Sequence, residues 1–419
     1  MNRLTRIDRR VIGTTIRKAS RDLPQHLLRN VAHRGAFWSL IVARVVYAVN
    51  WYNIASIFAP MAIELKTGVS GLGILASSFF FGLVLFQIPG GLLAAKYGPR
   101  RTSFVGIFVA SVSALLTGFS SGLGEAAALR FIVGLGMALF FSPGVSLIAR
   151  YYREGSEGFG IGLYNSAFDL GGALGLFGWA LLAEVLGWRQ SLFFSGGMGI
   201  VTSFLIIVLI PKEDLSGDSP LKLKELSDVL FKRELFILSF NMLGQSVGSI
   251  LVGSFIVYYL ETALGVGYEL AGFAGALFLL MMLAFSPISG RIYDRLKDAR
   301  RLMLVSGLVM SAGVGLAAFG GVYGAFAATI IVGISAGLGF TVGFAAARET
   351  NKSQAKYESL AIAWANSISL SAGFWSPVLF SLVVSSSGYP PAWLLGSLLT
   401  LAFVLSILAL KTKARAESR

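Results

Sequence analysis

Three ionisable side chains interrupt stretches that are otherwise apolar: Arg44 in SLIVARVVYAVNWY, Arg130 in RFIVGLGMALFF and Asp169 in FDLGGALGLFG. A charge near the middle of a membrane helix costs about 2.5 to 3.5 kcal/mol unless it faces protein or water, so such residues mark solute or ion pathways. Helical spacing sets Arg44, Tyr47 and Trp51 on one stripe, Asn165 and Asp169 on one face, and Asn241, Gln245 and Ser249 on another. Trp364 and Asn366 occupy the corresponding place later in the chain. Two cations against one acid lean toward an anionic substrate, with amides opposite the charges. Each amide alone has a second reading, an interhelical hydrogen bond worth about 0.6 kcal/mol. Asp169 has two readings as well: a proton carrier, or a fixed partner of Arg44 or Arg130. Arg130 serves either substrate contact or coupling.

Other chemistries lack their residues. The chain has no cysteine, and its two histidines, His26 and His33, lie in a basic N-terminal stretch. There is no nucleophile and base constellation and no GxxxxGK[ST] phosphate cradle, so neither an enzyme nor ATP-driven transport is expected. No metal or cofactor is implied. The expected partners are a small-molecule solute, a proton as possible coupling ion, and lipid.

The elements that position these residues follow from composition. Hydrophobic residues are 55% of 419, charged residues 13%, and mean hydropathy is +0.74; soluble domains carry about 25% charged residues. Apolar runs of about 20 residues recur, long enough to cross a hydrocarbon core of about 30 Å. They do not alternate as barrel strands do. The expectation is an all-α membrane protein with twelve transmembrane helices in two pseudosymmetric six-helix bundles. The spans are read at 36–62, 70–95, 102–121, 124–149, 159–184, 190–210, 236–261, 268–290, 302–320, 322–346, 357–384 and 390–410.

With the N-terminus inside, 31 of the 35 Lys and Arg fall on the cytoplasmic side, which predicts both termini cytoplasmic. In a membrane chain the net charge of +14 is thus a topology signal and does not imply nucleic acid. Residues 1–35 form a basic segment with no cleavable signal pattern, read as disordered or as a basic helix on the inner membrane face. Residues 36–210 and 236–410 are the bundles, 211–235 a polar linker with apolar spacing at Leu223, Leu226 and Leu230, and 411–419 a basic tail.

The second half repeats the first. GGLLAAKYGPRR (90–101) matches GRIYDRLKDARR (290–301) at an offset of 199, FSPG (141–144) matches FTVG (340–343), and Gly187-Trp188 matches Gly388-Tyr389. Such repeats favour alternating access, two bundles rocking about a midplane site. These motifs, with RFIVGLG (130–136), FDLGGALG (168–175) and GWRQSLFF (187–194), resemble the major facilitator superfamily over residues 36–410. The loop signature of that family is degraded once in each copy: Ala95 stands where its acid is expected, and Lys297 where its second Gly is expected.

The resemblance implies a cytoplasmic latch made by Gly91, Lys96, Gly98, Arg100 and Arg101 in one half and Gly290, Asp294, Arg295, Arg300 and Arg301 in the other. The alternative is that these basic residues only set topology. The expected function is a secondary active transporter in the plasma membrane, working as a monomer and moving a small organic anion with proton coupling. A proton-driven exporter of amphipathic compounds, supported by Trp51, Phe140, Phe141, Trp364 and Trp375, is the alternative. A transporter-like solute sensor is a third reading.

Overall fold

The computed structural model describes residues 33–151, 157–212, 231–350 and 358–410. The basic N-terminal segment to residue 32, the linker leucines and the C-terminal tail lie outside the described residues. Every regular element among those described is helical. In the first half the spans are 1 (Arg34–Tyr52, continued by Phe58–Glu64), 2 (Val69–Tyr97), 3 (Pro99–Thr117), 4 (Leu123–Tyr151), 5 (Glu157–Leu186) and 6 (Trp188–Leu209). In the second they are 7 (Arg233–Thr262), 8 (Tyr268–Leu296), 9 (Ala299–Leu316), 10 (Gly321–Glu349), 11 (Glu358–Leu370, then Ala372–Ser387) and 12 (Tyr389–Val404). Eleven of these are both long and apolar enough to cross a membrane. Span 3 has the length but carries buried Ser103, Ser111, Ser113 and Thr117, and it packs against spans 4 and 6 as part of the same bundle.

Two breaks matter for the site. Span 1 passes through a 3-10 turn at Ala55–Ile57 because Pro60 has no N–H for the preceding turn and is tolerated only in the first turn of a new helix. Ser56 Oγ donates to the Asn53 carbonyl at 2.8 Å, and Asn53 Nδ2 donates to Ser195 Oγ of span 6 at 2.8 Å, so the break is tied both to itself and to span 6. Span 11 is interrupted at Ser371, one and a half turns before Pro377.

The repeat is visible in the backbone. Gly187 and Gly388 open spans 6 and 12 with φ of 88° and 86°. Gly98 closes span 2 at φ 89°, and Lys297 closes span 8 at φ 50° and ψ 24°, a left-handed conformation that costs a residue with a Cβ about 1 to 2 kcal/mol. Arg100 donates to the Ile207 carbonyl near the end of span 6, and Arg300 to the Leu408 carbonyl beyond span 12 at 3.0 Å. Both arginines therefore occupy the negative end of a helix in their own half. Asp298 caps span 9, accepting from Arg301 N at 3.0 Å. Lys96, Arg101 and Arg295 are exposed, and the Asp294 side chain lies outside the described residues.

The halves meet unevenly. On the face away from the chain ends a single core joins them, running from Phe58 through Phe255 at 6.0 Å and Phe380 at 4.9 Å to Trp393 at 4.6 Å. Spans 2 and 11 touch there through Ser70 and Ser385 hydroxyls at 2.5 Å, and spans 5 and 8 through Phe177 and Phe273. Toward the chain ends each half keeps its own core, one around Phe37, Phe140 and Ile206, the other around Leu238, Met303 and Ala347. The molecule is sealed on one face and divided on the other.

On the sealed face Glu64 ties three segments together. It accepts from Trp188 Nε1 at 2.6 Å and from Arg189 Nε at 2.8 Å, while Arg189 Nη1 also donates to the Gly118 and Ser120 carbonyls. The GWRQ motif thus fixes the start of span 6 to the ends of spans 1 and 3.

Candidate charged chamber in the first half

Close helix approach assembles the site. Gly171 of span 5 lies against span 1, where an added Cβ would sit 2.8 Å from Val45 Cα, and this brings Tyr164, Phe168 and Asp169 alongside Arg44 and Tyr47. Gly134 of span 4 lies against the Phe79 and Leu83 backbone, which sets Arg130 one turn away over the Phe79 ring.

Arg44 is 5% exposed. Its guanidinium carbon lies 4.5 Å from the Tyr47 ring centre, 4.9 Å from Phe141, 4.8 Å from Tyr164 and 4.5 Å from Phe168. Its Nε and Nη1 are sealed from solvent without a hydrogen-bond partner. Ring quadrupoles offset part of the burial cost of the cation, yet leave the N–H groups on Nε and Nη1 unsatisfied. Asp169, 6% exposed, forms no ion pair or hydrogen bond among the described residues, so neither Arg44 nor Arg130 holds it as a fixed partner in this conformation. Its carboxylate is within electrostatic reach of Arg44 and Tyr52.

Arg130, 2% exposed, donates from Nη1 to the Asn50 carbonyl at 3.3 Å and keeps its Nε unpaired. It lines a cavity of about 20 Å³ under the seal with Trp51, Tyr52, Gly253 and Ser254, room for roughly one water. The rings of Phe168, Trp51 and Phe79, with centres 5.4 and 4.9 Å apart, stand between the two arginines.

The remaining sequence candidates fall in three places. Tyr47 and Trp51 join this chamber, 5.8 Å apart. Asn165 is exposed on span 5. Asn241 and Gln245 are fully buried inside the second bundle: Gln245 Nε2 donates to Asn241 Oδ1 at 2.8 Å, Asn241 Nδ2 donates to the Val404 carbonyl at 2.8 Å, and the Gln245 side chain crowds Gly339. The expected wall of amides opposite the charges is thus an interhelical bond between spans 7 and 12. Trp364 is half-buried with its ring edge on Phe236, and Asn366 is half-buried two residues on. From the second half, Ile250 and Leu370 pack against the core of the first. Tyr164, Phe168 and Phe79 were not among the sequence candidates. The first two lie four residues apart, one position before Asn165 and Asp169, a signal that was present but reads equally as core.

Comparison with known proteins agrees with this architecture. The family model of the Major Facilitator Superfamily matches residues 40–249 and 235–419. The chain is 32% identical over 185 residues to a probable galactarate/D-glucarate transporter, GudP, of Escherichia coli, a match spanning 42% of this chain and 41% of that relative's length. It is 25% identical over 307 residues to a D-galactonate transporter of Escherichia coli, covering 65% of this chain and 71% of the relative. Among solved structures it superposes on a D-xylose-proton symporter with a TM-score of 0.72 at 15% identity, over 89% of this chain and 96% of that one. It also superposes on an inward-facing bacterial homologue of the lysosomal transporter Spinster with a TM-score of 0.73, again at 15% identity, over 89% and 94%. Twelve helical spans in two repeated halves and a family model matched almost end to end make this chain a multi-pass membrane protein of the Major Facilitator Superfamily.

Proposed function

We propose that the protein moves a small organic anion across the plasma membrane by alternating access, with Arg44 as the partner of the anion's carboxylate and a proton as coupling ion. The observation that carries this reading is Arg44 itself, a buried guanidinium with two sealed N–H groups and no acid bonded to it. A cation kept at that cost with Nε and Nη1 free is suited to a carboxylate, which a guanidinium binds edge-on. Sugar-acid transport named for two Escherichia coli relatives supports the anionic class. Asp169, unpaired and next to Arg44, is the proton carrier: it is charged when the anion is absent and neutral when the anion fills the chamber. Both termini lie in the cytoplasm, so the divided face opens inward. Arg100 and Arg300 hold the ends of spans 6 and 12 as each bundle rotates, and the protein works as a monomer.

The test is uptake into proteoliposomes of carboxylates, their neutral amides and matched cations, with and without an inward proton gradient. Carboxylates alone should accumulate, and only with the gradient. Uptake of amides or cations at equal rates would overturn the reading.

A further inference from the structure

The surroundings of Arg44 define the body of the anion as well as its charge. Four ring faces lie 4.5 to 4.9 Å from its guanidinium carbon, so a carboxylate reaches it only along its edge and the rest of the molecule extends between rings. Beyond the cage, Phe168 leads to Trp51 at 5.4 Å, and Ile250 and Leu370 approach from the second half. The N–H groups of the buried amides are already engaged, while Asn50 Oδ1, Asn53 Oδ1 and Gln245 Oε1 are sealed from solvent without a partner. Asn50 donates to the Val46 and Ser195 carbonyls, Asn53 to Ser195 Oγ, Gln245 to Asn241, and Asn241 to the Val404 carbonyl.

A hexonic or hexaric acid carries a hydroxyl on every inner carbon, and each one buried without a partner lowers affinity by about tenfold. A flat ring loses nothing there and gains edge and face contacts with Phe168 and Trp51. The second cation offers no place for a second carboxylate, since Arg130 stands behind three rings and opens into a cavity of about 20 Å³.

We infer that the preferred cargo is an aromatic monocarboxylate, in contrast to the polyhydroxylated acids named for the Escherichia coli relatives. The inference rests on the reading of Arg44 as the anion's partner. It is tested by titrating the purified full-length protein in nanodiscs with benzoate, 4-hydroxybenzoate, D-galactonate, galactarate and benzamide. At least one of the two aromatic acids should bind tenfold or more tighter than either sugar acid, with benzamide weaker than benzoate by a similar factor. Phe168→Leu, which keeps bulk and removes the ring, should weaken the aromatic acid threefold or more without lowering the melting temperature. Tighter binding of D-galactonate or galactarate would overturn the aromatic inference and leave the anion reading standing. Benzamide binding as tightly as benzoate, or no binding by any of these, would overturn both.

Discussion

Replacing Arg44 by glutamine separates binding from folding. Burying the cation costs about 2.5 to 3.5 kcal/mol on insertion scales. The four rings around it, at 4.5 to 4.9 Å, return about 0.5 to 1 kcal/mol each, about 2 to 4 kcal/mol together. With no carboxylate bonded to Arg44, the two terms nearly cancel, and Arg44→Gln should change stability by less than about 1 kcal/mol, a melting shift of about 2 to 4 °C at most. Loss of a cation that touches a buried anion is a larger effect, about 2 to 5 kcal/mol, which weakens Kd by about thirtyfold or more. Arg44→Lys keeps the charge but not the planar fork, so it should recover only part of the affinity. Thermal melts and carboxylate titration on the same preparations measure both quantities. A glutamine variant that melts more than about 8 °C lower yet binds carboxylate as tightly as the wild type would refute this reasoning and make Arg44 a packing residue.

Three further outcomes are expected. Asp169→Asn, fixed in the neutral form, should bind and exchange the anion but fail to accumulate it under an inward proton gradient; accumulation that persists would remove Asp169 as the carrier. Ser70→Cys with Ser385→Cys, on a chain that has no native cysteine, should cross-link across spans 2 and 11 and stop transport until reductant is added; cross-linked protein that still transports would show that this seam need not open. Lys297→Gly should raise stability by about 1 kcal/mol by relieving a left-handed lysine, read as a higher melting temperature, and a fall would show that the lysine side chain contributes more than its backbone costs.

The charges in apolar runs, the twelve spans and the repeat were legible because each depends on local sequence or on a fixed offset. Arg44 and Asp169 stood out by cost alone, and Tyr47 and Trp51 followed from helical spacing. Spacing identifies a face but not its neighbour, which is why Asn241 and Gln245, correctly set on one stripe, turned out to bond with each other and with span 12. The ring cage was hidden for a related reason: Tyr164 and Phe168 look like any buried aromatic pair until Gly171 brings span 5 against the span 1 backbone. Similarly, Lys297 read as a degraded motif position, whereas the backbone still takes the left-handed turn that a glycine there would favour.

The most direct measurement of the central claim compares wild type and Arg44→Gln in the same energised proteoliposomes, following radiolabelled benzoate, 4-hydroxybenzoate and D-galactonate with an inward proton gradient and again after a protonophore collapses it. Wild type should concentrate at least one of these anions above equilibrium only while the gradient lasts, and Arg44→Gln should leave all of them at equilibrium. Equal gradient-driven accumulation by the two proteins would contradict the assignment of Arg44 as the partner of a transported anion.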